Sequence, residues 1–258
     1  MGHLFFPREV TMAYETRANQ IMELLHQKGT VQASQISQLL QVSLVTVRKD
    51  LQRMEDEGLL RRTHGGAAIR GNENHQDPRA ATIERIAEAA AAQIHAGDCV
   101  IMNAGNTTLL TARKLLGRKD LTIITNSIAI ARELVQQTGI KLIFLGGGVN
   151  AEAVFTYGWD AVTQLEQYKA NKLILSASGL SCSAGLTTRH MEAADLLRKM
   201  IARTETVIAV ADDTKIGFES FYHVGNLDAV DMLITNPEPS TEQELQKMQD
   251  MGIALYRC

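Results

Sequence analysis

Two groups of residues in this 258-residue chain carry side chains suited to chemistry. The first is cationic. Arg48, Lys49 and Arg53 lie in SLVTVRKDLQRMEDEG, and Arg61, Arg62 and His64 follow in RRTHGGAA. Such donors bond phosphate oxygens and base edges of nucleic acids. The second group suits anions. Ala104-Gly105-Asn106-Thr107-Thr108, Thr125-Asn126-Ser127 and Gly146-Gly147-Gly148 each follow an apolar run. Backbone N–H groups and hydroxyls converging at a helix N-terminus there would favour a phosphate, and glycines let the backbone approach it. Each loop taken singly also reads as a turn or helix cap; the three at successive strand ends point to a shared pocket. Asp212-Asp213-Thr214-Lys215 ends another apolar run, so Lys215 either counters an anion or is a solvated loop lysine. Gly179, with Gly185-Leu186-Thr187 beyond it, is a further turn able to close such a pocket.

RRTHGGAA admits a phosphate turn, a metal site or a solvated hairpin. His64 has no partner at ligand spacing, and Cys99, Cys182 and Cys258 lie far apart, which excludes a metal site and a disulfide framework. No apolar strand feeds the turn, and the chain has neither a Walker A loop nor a GxGxxG fingerprint, so nucleotide binding and other cofactors are not expected. A hairpin wing remains, with Gly65-Gly66 at its turn and Arg61, Arg62 and His64 following a DNA backbone or entering a minor groove.

The elements that must hold these groups follow from apolar spacing. Ile21, Leu24 and Leu25 predict a helix ended by Gly29, and Ile36, Leu39 and Leu40 a second. Ser43 reads as the N-cap of a third, LVTVRKDLQRMEDEG, with Val47, Leu51 and Met54 inward and Thr46, Lys49, Asp50 and Arg53 outward. The short connection between the last two predicts a helix-turn-helix, and the hairpin after it a wing. Its DNA-binding residues would be Ser43, Thr46, Arg48, Lys49 and Arg53 with Arg61, Arg62 and His64. A small protein-interaction module is the competing reading. The polar stretch RGNENHQDPRA then reads as a linker. Beyond it, apolar runs such as CVIMNAG, LTIITNS, KLIFLGGG, KLILSASGL and TVIAVADDT alternate with helices, the rhythm of a parallel α/β sheet. The expected organisation is a winged helix-turn-helix domain over 14–70, a linker over 71–81, and an α/β domain over 82–258.

Nothing approaches a membrane-spanning run of about 18 apolar residues, and no secretory pattern precedes the first helix, which predicts a cytoplasmic protein with no membrane partner. Residues 1–70 hold nine Lys/Arg against seven Asp/Glu, whereas the rest hold seventeen against twenty-two. An anionic partner is thus expected for the first part only.

SQISQLLQVSLVTVRKDLQRMEDEGLLRRTHGGA resembles the DNA-binding domain of the DeoR family of bacterial transcriptional regulators, where a TVRRDL-like helix precedes a hairpin ending in HGGA. Lys49 stands where that family usually shows arginine, which keeps the charge and gives up the bidentate fork. NAGNTTLLTARKL resembles the family's DSGTTT loop, TIITNS its TNS segment, LGGGVN its glycine pair and VADDTKIG its D-x-S-K motif. Asn103 replaces the usual aspartate and Asn106 a threonine or serine. The resemblance implies a C-terminal fold like that of sugar-phosphate isomerases that binds phosphorylated sugars. Effector contacts would come from Asn103, Gly105, Asn106, Thr107, Thr108, Thr125, Asn126, Ser127, Gly147, Gly148, Gly179 and Lys215. It further implies a repressor of sugar catabolism that binds double-stranded operator DNA as a homo-oligomer, a dimer or tetramer. Isomerase chemistry, with Asp212, Asp213 or Glu192 as base, is the alternative; an attached DNA-binding domain favours sensing over catalysis.

Overall fold

Helical spacing of apolar residues builds the first unit. Helix α1 (Tyr14–Lys28) leads through strand β1 (Thr30–Gln32) to α2 (Ala33–Leu40) and α3 (Leu44–Asp56), and strands β2 (Leu60–Thr63) and β3 (Gly66–Ile69) close it. The computed structural model describes residues 14–56, 59–63, 65–69 and 78–258, in two units that part at Pro78. In the first, β3 lies between β1 and β2 and runs antiparallel to both. Ile21, Leu25, Ile36, Val47, Leu51, Met54 and Leu60 form its core. The turn between α2 and α3 is held by Gln41 in the left-handed region (φ 51°) and by Ser37, whose carbonyl accepts from Val42 N–H at 3.2 Å and whose hydroxyl donates to Val42 O at 2.6 Å. This is a winged helix-turn-helix. Three-residue β1 carries too little alternation to be read from sequence, and it forms because β3 offers it a partner.

Asp50, assigned to the outward face of α3, is buried. Its position one turn beyond Val47 brings it to the border of the core stripe, where α1 covers it with Arg17.

The second unit opens with α4 (Pro78–Ala92). Residues 78–81, expected in the linker, form its first turn; proline is tolerated there because that N–H has no helical partner in any case. Residues 71–77 lie outside the described residues. Two strand–helix steps and a third strand follow: β4 (Cys99–Met102), α5 (Asn106–Lys114), β5 (Leu121–Thr125), α6 (Ile128–Leu134) and β6 (Ile140–Phe144). A hairpin of β7 (Gly148–Asn150) and β8 (Phe155–Tyr157) precedes α7 (Trp159–Glu166) and β9 (Ala170–Leu175). Next come β10 (Gly179–Ser181), β11 (Gly185–Thr188), α8 (Ala194–Ala202), β12 (Thr204–Val210) and β13 (Tyr222–Gly225). The chain finishes with β14 (Met232–Thr235), α9 (Glu242–Asp250) and β15 (Ala254–Arg257).

Seven of these strands make one parallel sheet in the order β15-β14-β12-β9-β4-β5-β6. Alternate side chains feed two cores: Val100, Met102 and Ile123 pack with α4–α6 on one face, and Ile101, Ile124 and Leu173 with α7–α9 on the other. From β4 the chain winds toward β6, and from β9 toward β15. The carboxyl ends of β4 and β9 therefore flank a topological switch point, where open α/β sheets leave a crevice. A small sheet, β10-β11-β13, stands apart from the main one. No helix among the described residues is long and apolar enough to cross a membrane.

Candidate functional site

In the first unit, Ser43 begins α3 as expected: its hydroxyl accepts from Thr46 N–H at 3.1 Å and lies 2.9 Å from Thr46 Oγ1. The first turn of α3 holds no acidic residue, so the positive end of the helix dipole is left open to an outside anion. At 100° per residue, the stripe opposite Val47, Leu51 and Met54 is Val45, Lys49 and Gln52, all exposed. Lys49 was expected; Val45 and Gln52 were missed, although their i, i+4, i+7 spacing was available in the sequence.

Arg48 turns to the side. With Arg62, Thr63, Gly65 and Gly66 it lines a shallow hollow of about 420 Å³ between α3 and the hairpin. Arg62 is tied to α3 twice, by a short bond from its guanidinium to Gln52 Oε1 and by its backbone N–H to Glu55 Oε1 at 2.8 Å. Arg53, at the far end of α3, stacks over the Tyr14 ring with Cζ 3.8 Å from the centroid. Arg61 is exposed on β2, and His64 lies outside the described residues.

In the second unit a pocket of about 510 Å³ opens at the switch point. Of the expected residues, Asn103, Gly105, Asn106, Thr107, Asn126, Ser127 and Lys215 line it. Asn106 is the exposed first residue of α5, whose opening N–H groups lack helical partners. Gly105 makes this possible. A Cβ there would lie 2.7 Å from Ser176 Cβ and 2.8 Å from its hydroxyl, so only glycine lets the start of α5 approach the end of β9.

Asn103 and Asn126 hold the strand ends. Asn103 Oδ1 accepts from Ser176 N–H at 2.8 Å while its Nδ2 donates to Ser176 O at 2.8 Å, joining the ends of β4 and β9 in both directions. Asn126 Oδ1 accepts from Ala104 N–H at 3.2 Å and its Nδ2 donates to Thr156 O at 2.9 Å. Ser127 caps α6 through Ile130 N–H at 3.3 Å.

The remaining expected residues do not line the pocket. Thr108 is fully buried, donating to Asn103 O at 2.8 Å and Gly105 O at 2.9 Å, and so shapes the loop from beneath. Thr125, also buried, donates to Met102 O at 2.6 Å. Gly147 and Gly179 are required by backbone neighbours: an added Cβ would sit 2.4 Å from Tyr157 O and 2.2 Å from Phe218 O, respectively. Gly148 pairs with Tyr157 in the β7–β8 hairpin.

The pocket wall also includes Arg189 and His190, which follow β11, and Asp212 and Glu152. Of these, only Asp212 stood out in the sequence, and only as a base. Arg189 and His190 sit in an ordinary polar stretch, TTRHME, and reach the wall because β10, β11 and β13 form a sheet of their own. His190 packs edge-on against Phe155, ring centroids 5.4 Å apart. Asp212 Oδ1 accepts from Thr214 N–H at 2.9 Å and also from the Thr214 hydroxyl. Asp213 turns away to Asn236, its Oδ1 accepting from Asn236 Nδ2 at 3.0 Å. Glu192 lies outside the wall. Its own backbone N–H, and then the Asn150 amide at 2.6 Å, hold its carboxyl below the usual range. Lys215 and Arg189 thus bring two cations to a cavity that the α5 N-terminus already makes favourable for an anion.

Two family models match the chain: the DeoR-like helix-turn-helix domain over residues 17–72 and the DeoR C terminal sensor domain over residues 80–237. The HTH-type transcriptional repressor GlcR of Bacillus subtilis (strain 168) is 36% identical over 236 residues, 89% of this chain and 91% of its own length. The glycerol-3-phosphate regulon repressor of Escherichia coli (strain K12) is 28% identical over 253 residues, 96% of this chain and 100% of its own. A solved ribose 5-phosphate isomerase A from Methanocaldococcus jannaschii aligns over 52% of each chain at 14% identity with a TM-score of 0.38. With sequence, winged helix and sensor unit in agreement along nearly its whole length, the chain belongs to the DeoR family of transcriptional regulators.

Proposed function

We propose that this regulator represses a sugar catabolic operon and releases its operator when a phosphorylated sugar enters the pocket at the β4–β9 switch point. The observation that carries the reading is the convergence of the α5 N-terminus, Lys215 and Arg189 on one cavity of about 510 Å³, a volume suited to a small phosphorylated metabolite. The phosphate sits at Asn106 and Thr107, and the cations meet it or a second polar group. The relatives named as repressors support the direction of control.

Operator binding falls to α3 and the hairpin, with Lys49 on the outward face and Arg48 and Arg62 beside it. Ligand-induced release requires a pocket-bound form with lower DNA affinity, by no more than the ligand's own preference between the two forms. Paired operator half-sites call for a homo-oligomer.

Binding proceeds without turnover. An isomerase needs a carboxylate poised over an acidic C–H. Asp212 is engaged by Thr214, Asp213 by Asn236 and Glu192 by Asn150, while Asn103 offers an amide. The deciding experiment screens sugar phosphates and their unphosphorylated parents by calorimetry, and follows operator release in parallel. Phosphorylated compounds alone should bind and release DNA. Equal binding by the parent sugars, or measurable isomerisation, sinks the reading.

A further inference from the structure

We infer that Val45 reads a base: its side chain meets the 5-methyl group of a thymine in the operator's major groove. This rests on α3 being the DNA-reading helix. Val45 is 62% exposed, and its neighbour Leu44 is 43% exposed, at the very turn where Ser43 caps the helix. Among the described residues, neither side chain packs into the core of the first unit. The core stripe of α3 runs on the opposite side through Val47, Leu51 and Met54, and a β-branched residue is a poorer helix former than the polar residues usual on an outer face.

The surroundings say what Val45 is for. It heads the outward stripe that continues through Lys49 and Gln52, with Arg48 and the Arg62 hairpin alongside. The first turn lacks the acidic side chains that would repel phosphates. An apolar side chain one helical turn from Arg48 and Lys49, aimed into a major groove, finds one apolar feature there, the thymine methyl. A recognition helix reads bases with its N-terminal residues, which is where Val45 stands.

The test removes that methyl and nothing else. A duplex is selected by the full-length protein from a randomised pool, and each thymine is replaced singly by deoxyuridine. The wild-type protein should lose roughly fourfold in affinity at one thymine per half-site, the factor for about one buried methylene. The Val45→Ala variant, which keeps its fold because the side chain is exposed and alanine favours helix, should bind the thymine and uracil duplexes equally. Selected duplexes that tolerate every uracil, or a uracil penalty of the same size in Val45→Ala, overturn the inference. The variant Lys49→Ala separates the two levels. If it too binds as tightly as wild type, α3 is not the reading helix; if it binds weakly while uracil is tolerated everywhere, only the role of Val45 fails.

Discussion

Arg17 on α1 and Asp50 on α3 form a bidentate ion pair inside the first unit, Nε to Oδ2 at 2.6 Å and Nη2 to Oδ1 at 2.9 Å, with side chains only 9% and 8% exposed. The hydrogen bonds to Asp50 raise the arginine's pKa above its ordinary value despite the opposing effect of burial. The pair therefore adds a polar tie to the apolar core shared by α1 and α3, the helix that presents Val45 and Lys49. Its consequence is structural: α3 carries one fewer outward acid than the sequence suggests, which leaves its outer face more cationic.

Breaking this pair should cost far more than an exposed bridge. Asp50→Asn removes the carboxylate that faces the buried guanidinium, and a loss of about 3–5 kcal/mol is expected on denaturant unfolding of the first unit. The double variant Arg17→Met/Asp50→Leu should recover most of that loss, because it buries no charge. Equal stability of Asp50→Asn and wild type would show the pair to be unimportant.

Lys49 is expected to act through charge. Lys49→Ala should weaken binding to the selected duplex and to unrelated duplexes alike, and lower the slope of log affinity against log salt by about 1. Lys49→Arg restores the charge and adds a bidentate fork, so a changed base preference at one position should accompany recovered affinity. Titrations at several salt concentrations check both.

Asn103→Asp tests the two-way bond to Ser176. The carboxylate can still accept from Ser176 N–H, but it then faces the Ser176 carbonyl without a proton to offer. The second unit should lose about 1–3 kcal/mol at neutral pH, the cost of an unpaired buried acceptor. Desolvation and the facing oxygen raise the pKa of the new carboxyl in the fold. Its protonated form fits, so the deficit relative to wild type should shrink as pH falls toward the carboxylate range. Thermal melts across pH provide the measurement. A deficit independent of pH would point to a packing fault instead.

Arg189→Ala and Lys215→Ala ask which cation holds the phosphate. Loss of a charge-assisted bond is worth about 1.5–3 kcal/mol, a fall of roughly ten- to hundredfold in effector affinity. Operator binding without effector should stay unchanged in both. Calorimetry with the phosphorylated ligand and an electrophoretic shift separate the two effects, and unaltered ligand affinity in both variants would remove the cations from the site.

Much of this protein was already legible in its order of residues. Val47, Leu51 and Met54 recur at helical spacing, Ser43 stands where a cap must stand, and short apolar runs ending in Gly, Asn or Ser announce parallel strands with loops at their carboxyl ends. These signals are local: a helix turn, a cap and a strand end each depend on neighbours within a few residues. What the sequence did not show shares the opposite property. Asp50 looked like an outward charge because its partner, Arg17, lies 33 residues away. Gly147 and Gly179 looked like ligand loops because the carbonyls they make room for, of Tyr157 on β8 and of Phe218 in the segment before β13, lie outside their own loops. Arg189 looked like nothing at all until β11 carried it to the pocket wall. Periodicity and local chemistry thus determined the two folds and the family, whereas which polar groups face a ligand and which merely hold a strand end was decided by contacts across the sheet.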